Sequence, residues 1–202
     1  MTQSVQEIQP ELEPPGAGLP RIELFVARLG FRLMTMFVSR AGASRWFRAE
    51  ADRILALARS LPPADATRRV LIPRLAGLED SSRYWSVCMT LEHLVIINSG
   101  ISRTIASLAA GVVPPGTVST ADVKPGPTAD GNMIDRFEAV ACDYLASVSL
   151  LTDLRTKETH RHPWFGPLNA LNWHRLAAFH QRLHRKQIES IIRLMPKESP
   201  AM

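Results

Sequence analysis

With 202 residues, 46% of them hydrophobic and 21% charged, the chain is long enough to bury one full core and too apolar to be disordered along its length. The formal charge of +5 comes mostly from arginines spread along the chain, with only Lys124, Lys157, Lys186 and Lys197 as lysines; no concentrated basic stripe marks a nucleic-acid surface, so no nucleic-acid partner is expected. Cys88 and Cys142 stand singly inside predicted helices, which argues against a disulfide framework or a cysteine-based zinc site.

Residues 1–20 hold Pro10, Pro14, Pro15, Gly16, Gly18 and Pro20 among glutamates, with too few apolar side chains to pack, and read as a flexible tail. They lack the charged region and apolar run of a signal peptide, so cytoplasmic residence is the expectation. Residues 22–38 are strongly apolar, but Glu23, Arg28 and Arg32 interrupt them and they are too short for a comfortable bilayer crossing. The segment 21–42 therefore reads as an accessory helix that packs on the domain or on a partner, or else lies on a membrane surface through 22–38. Trp46, Phe47, Ile54, Leu55, Leu57, Ala58 and Leu61 then recur at helical spacing until Pro62-Pro63 ends the first helix of a bundle.

A second helix, capped by Asp80, Ser81 or Ser82, runs to about Gly111 and is apolar on most sides. One strip differs: Ser86, Thr90, His93, Ile97, Gly100 and Thr104 share a face that is mostly small or polar and leaves room beside His93. Glu92 points about 100° away from His93, which suits an outer acid or a surface ion pair better than a co-ligand. Prolines and glycines make 111–128 a long loop, of a length that often covers a pocket.

Asp130 caps a third helix with a stripe of Ile134, Phe137, Ala141, Leu145 and Val148, and the Tyr144 hydroxyl is expected at its rim. The prolines and glycine of 159–169 read as excluding regular structure, so His160 and His162 need a fixed backbone before either serves as a ligand. Asn169 caps the last helix, which ends near Pro196 and leaves 197–202 as a tail. No alternating strand pattern, Gly-rich phosphate loop or internal repeat is evident. The fold class is all-α: an antiparallel four-helix bundle over 43–196, with an extra N-terminal helix and a long loop between helices two and three.

The last helix carries His180 and His184 one turn apart, so both rings can reach a common point. They fall in an apolar stripe with Trp173, Leu176, Ala177, Ile188, Ile191 and Met195, while Arg175, Arg182, Arg185, Lys186, Glu189 and Arg193 face the other way, toward water. His174 lies about 100° off the stripe and is expected to be exposed. An imidazole directed into a core without a partner costs roughly 1–3 kcal/mol, and either a shared metal or a carbonyl or carboxylate would supply one.

These features together resemble the DinB-like superfamily of metal-binding four-helix bundles. The residues that carry the resemblance are Trp85 with His93, then His162-Pro163-Trp164-Phe165-Gly166-Pro167-Leu168, then His180-x-x-x-His184-x-x-Gln187-Ile188, over roughly 43–195. The resemblance implies a divalent metal, zinc (Zn) or nickel (Ni), held by His93, His180 and His184, with Gln187 and Glu92 as candidates for outer support. It also implies relatives that pair into dimers, and thiol-dependent transferases or isomerases in which the metal favours a low-molecular-weight thiolate. A metal-dependent enzyme acting on a small molecule, of thiol transferase or hydrolase type, is thus the expectation, with no catalytic carboxylate assigned. A non-catalytic metal-containing protein that uses 22–38 for a ligand or partner is the other reading.

Overall fold

Among residues 10–117 and 119–196, which the computed structural model describes, there are six α-helices and two short antiparallel sheets. The helices are α1 (Arg21–Phe37), α2 (Arg40–Arg59), α3 (Pro63–Thr67), α4 (Val87–Ala109), α5 (Asn132–Leu150) and α6 (Ala170–Leu194). The strands are β1 (Val70–Leu71) with β2 (Tyr84–Trp85), and β3 (His160–His162) with β4 (Gly166–Leu168). The four long helices after α1 form the expected bundle as a ring in the order α2, α6, α4, α5. Phe47, Ile54, Leu91, Leu94, Ile105, Leu108, Phe137, Ile188 and Ile191 fill its centre. Truncating one of these aromatics to alanine costs about 3–5 kcal/mol, because the packed interior closes only partly around the hole.

Local chemistry sets the helix ends. Ser39 caps α2 by accepting the Gly42 N–H, and Asn169 caps α6 by accepting the Asn172 N–H at 2.9 Å, as its sequence position predicts. The cap of α4 is Ser86, which accepts the Met89 N–H; Asp80–Ser82 instead form a single 3-10 turn, and Tyr84–Trp85 are extended because they pair with β1. Asp130 precedes Gly131, the residue at the start of α5, and its carboxylate accepts the Asn132 N–H. Arg40 reaches across from α2 to the open end of α5 and donates to the carbonyls of Val148 and Leu151, both at 2.7 Å.

The connector before α6 is regular, contrary to expectation. Pro163 lies in the turn and Gly166 closes it at φ 74°, so the two residues read as breakers shape a hairpin with His160 opposite Leu168. Three further readings are corrected. His174 is fully buried and bridges Tyr144 Oη at 2.8 Å and Ser44 Oγ at 2.9 Å, which also draws the Tyr144 hydroxyl inside. Arg185 pairs across α2 with the buried carboxylate of Glu50, which also accepts the Trp46 indole N–H. The buried thiol of Cys88 is pushed up to about 11, so it is inert; Cys142 is exposed, and both are free.

Within the segment read as a tail, residues 10–20 run along the turn at 79–80: Glu13 N–H donates to Asp80 and Gly16 N–H to Glu79. The remainder of that reading, 1–9, and the tail at 197–202 lie outside the described residues. No described helix is long and apolar enough to cross a membrane.

Candidate metal centre

α4 contributes His93 and its ring neighbour α6 contributes His180 and His184, so adjacent helices bring the three imidazoles to one place. One nitrogen of each ring lies within 4.8 Å of the others. His93 and His184 are buried and His180 is partly so. Trp85, at the end of β2, packs against two of them, with ring centroids 5.2 Å from His93 and 6.3 Å from His184.

Hydrogen bonds decide where the ring protons sit. Nδ1 of His93 lies 2.7 Å from the carbonyl oxygen of Val123, which only accepts, so this nitrogen carries the proton and Nε2 keeps its lone pair. His184 Nδ1 likewise donates to Gln187 Oε1 at 2.6 Å, and the Gln187 amide nitrogen donates to the Ser82 carbonyl, which fixes the amide's orientation. Nε2 of His184 then faces Nε2 of His180 at 3.1 Å, and Nδ1 of His180 is buried without a partner. Two ring nitrogens at that separation need a proton or a cation between them. Three neutral imidazoles converging on one point with two tautomers locked from behind are a donor set suited to a divalent ion.

Burial reinforces the neutral state. Desolvation lowers His93 to about 4, and it holds His180 and His184 well below the ordinary histidine range, with the neighbouring His93 further disfavouring charge on both. Imidazoles that stay unprotonated keep their lone pairs available to a metal near neutral pH.

The 111–128 loop is tied down over this point. Val123 holds His93 from behind, Gly126 N–H donates to Glu92 at 2.8 Å, and Thr120 donates to Glu79 at 3.0 Å. Lys124 donates to Ser81 and Ser82 at 2.7 and 2.8 Å, pairs with Glu79 at 3.3 Å and lies over the Trp85 ring. Glu92 thus anchors the loop, while Gln187 supports a ring directly. The Val123 carbonyl, Lys124 and Ser82 were not anticipated; a backbone acceptor has no signature in sequence, and Lys124 resembles any surface lysine there.

Two clefts meet at the histidines. One, of about 820 Å³ counting its open mouth, is walled by Trp164, Phe165, Phe179 and Leu183 and reaches all three rings. The other, of about 1110 Å³ on the same measure, runs under the loop beside Ile97, Gly100 and Thr104, part of the strip of α4 foreseen next to His93, and beside Ser107; it reaches His180. His162 borders both clefts. Its Nδ1 accepts the Trp164 N–H at 3.1 Å, so in the neutral ring the proton sits on Nε2. Burial lowers this ring to about 4 and keeps it neutral. His160 is buried, stacked on Trp173 and bordering the second cleft, outside the three-histidine group.

The sequence profile of the DinB superfamily matches residues 46–188, a span that takes in all three histidines and the hairpin. The chain belongs to the DinB superfamily. The match begins within α2, so α1 lies outside the matched residues. A solved structure of a four-helix bundle protein, TT2238, is similar at 25% identity over 75% of this chain and 98% of that one, with a TM-score of 0.48. No curated protein matched.

Proposed function

We propose that this DinB-superfamily protein is a metal-dependent enzyme acting on a small molecule, with a divalent ion, zinc or nickel, held by His93, His180 and His184. The observation that carries the reading is the tautomer lock: Val123 and Gln187 take the Nδ1 protons of His93 and His184, leaving their Nε2 lone pairs beside His180 at the meeting of two clefts. When bound, such an ion acts as a Lewis acid that favours the deprotonated form of a thiol or of water near neutral pH.

The chain's own groups do the rest. Trp164, Phe165 and Phe179 give the cleft an apolar wall, which strengthens charge interactions beside it. Nε2–H of His162 is a donor for a carbonyl or carboxylate oxygen of a substrate lying along either cleft. Glu79, the carboxylate among the residues lining the first cleft, is engaged by Lys124 and Thr120 and so is not a free base. Proton removal without a protein carboxylate favours a reactant that a metal acidifies directly, with a low-molecular-weight thiol as the proposed partner.

Elemental analysis of the purified protein beside His180→Ala and His184→Ala tests the reading, together with a screen for thiol transfer and hydrolysis. Stoichiometric zinc or nickel, lost in both variants, is expected alongside turnover. Protein that neither holds these metals nor gains thermal stability from them refutes it.

A further inference from the structure

The N-terminal helix presents an apolar face that nothing in the described chain covers. Ile22, Phe25, Val26, Leu29, Leu33, Met36 and Phe37 share one side of α1, and Ile22 and Phe37 are 81% and 82% exposed. This is not a helix waiting to fold back. Its opposite side is already docked: Phe31 stacks on Phe165 with centroids 4.5 Å apart, Glu23 pairs with Arg74 and accepts the Gly77 N–H, and Arg28 donates to the Trp164 carbonyl. The apolar side is therefore held outward.

Charge identifies what covers it. Arg21, Arg28 and Arg32 line one edge of the apolar face, all three are exposed, and none has a carboxylate partner among the described residues. Glu23, the one acid of the helix, is spent on Arg74 and Gly77. A second copy packed antiparallel is a poor fit, since that pairing sets like edge against like edge and brings arginine to arginine. An apolar face rimmed by exposed arginines whose charge no carboxylate neutralises suits the boundary between lipid headgroups and acyl chains, where cations meet phosphate and the apolar side chains enter the hydrocarbon. We infer that α1 is an interfacial helix that docks this protein on an anionic lipid bilayer. The first cleft is bordered by Ala27 of α1, so the docked helix and the histidine site share a wall. The inference does not depend on the metal reading.

Flotation of the full chain with vesicles of phosphatidylcholine, with and without phosphatidylglycerol, tests it. The protein is expected to float with the anionic vesicles, less with the zwitterionic ones, and less as salt is raised. Phe25→Ser and Phe37→Ser each lower partition roughly tenfold, and Arg21→Glu with Arg32→Glu about fivefold per arginine, while circular dichroism and metal content stay as in the parent. These residues are exposed, so loss of binding with the fold retained is interpretable. Absence of flotation with anionic vesicles, or flotation unchanged in the phenylalanine variants, overturns the inference. So does a dimer in sedimentation velocity that Phe25→Ser dissociates, since that result assigns the face to a second copy.

Discussion

Gln187 accepts the Nδ1 proton of His184 at 2.6 Å while its own amide nitrogen donates to the Ser82 carbonyl at 2.7 Å. The glutamine therefore links the turn before β2 to the ring and holds the His184 lone pair toward the shared point. Gln187→Ala should weaken zinc or nickel binding about 10–100-fold, the usual loss when a supporting hydrogen bond to a ligand is removed. His184→Ala should abolish binding. Metal retention against a graded series of chelators measures both, and parental retention in Gln187→Ala would show that the amide does not orient the ring.

Metal removal should also be felt by the fold. A site shared between α4 and α6 exists only in the folded chain, so an ion present at a thousand times its Kd adds about 4 kcal/mol. Chelation is expected to lower the melting temperature by several degrees, with recovery when zinc or nickel is restored. Calorimetry of the stripped and reloaded protein measures the difference, and superimposable melts contradict the shared site.

One part of the pH dependence comes from His174, which stands apart from the three-histidine point. Burial lowers its folded pKa to about 4, against about 6.5 in the unfolded chain. Between these values the unfolded state binds the extra proton, so its contribution is fully present above pH 6.5 and lost as pH falls toward 4. The His174 ring should remain neutral in NMR spectra at pH 5.5 while thermal stability is already falling. A titration midpoint near 6.5 in the folded protein would contradict the buried network with Tyr144 and Ser44.

Glu50 and Arg185 hold α2 to α6 through a pair with a buried carboxylate. Arg185→Ala leaves that carboxylate without its main counter-charge and should cost about 3 kcal/mol. Metal content should be unaffected, because neither residue touches the three rings. Denaturant midpoints measure the first effect and elemental analysis the second.

Lys124 fastens the 111–128 loop to Ser81, Ser82 and Glu79. Lys124→Ala should speed proteolytic cleavage within the loop and, by loosening the Val123 acceptor, reduce metal affinity by a smaller factor than Gln187→Ala does. Equal cleavage rates in the parent and the variant would show that the loop is held by other contacts.

The sequence made the bundle and its shared point legible because both are written in side chains at helical spacing. The proline stop at 62–63, the Asn169 cap and the apolar stripe through His180 and His184 each follow from one residue type at one position. The burial of His174 and the pairing of Arg185 with Glu50 were not legible for a specific reason. α6 packs against both α2 and α4, so its buried arc is wider than one stripe, and these residues lie on the α2 side. The 160–168 hairpin was hidden because three-residue strands are too short to show alternation and depend on pairing with each other. The proton acceptor behind His93 is a backbone carbonyl, which no residue type announces.

In the ring order α2, α6, α4, α5, all three histidines come from α4 and α6, while α2 and α5 hold Ser44, Glu50 and Tyr144. The three-histidine point thus belongs to one pair of adjacent helices, and the other pair holds that pair in place through polar contacts to His174 and Arg185. Substitutions at Ser44, Glu50 or Tyr144 are expected to reach the histidines only through the packing of α6, whereas the 111–128 loop touches His93 directly through the Val123 carbonyl.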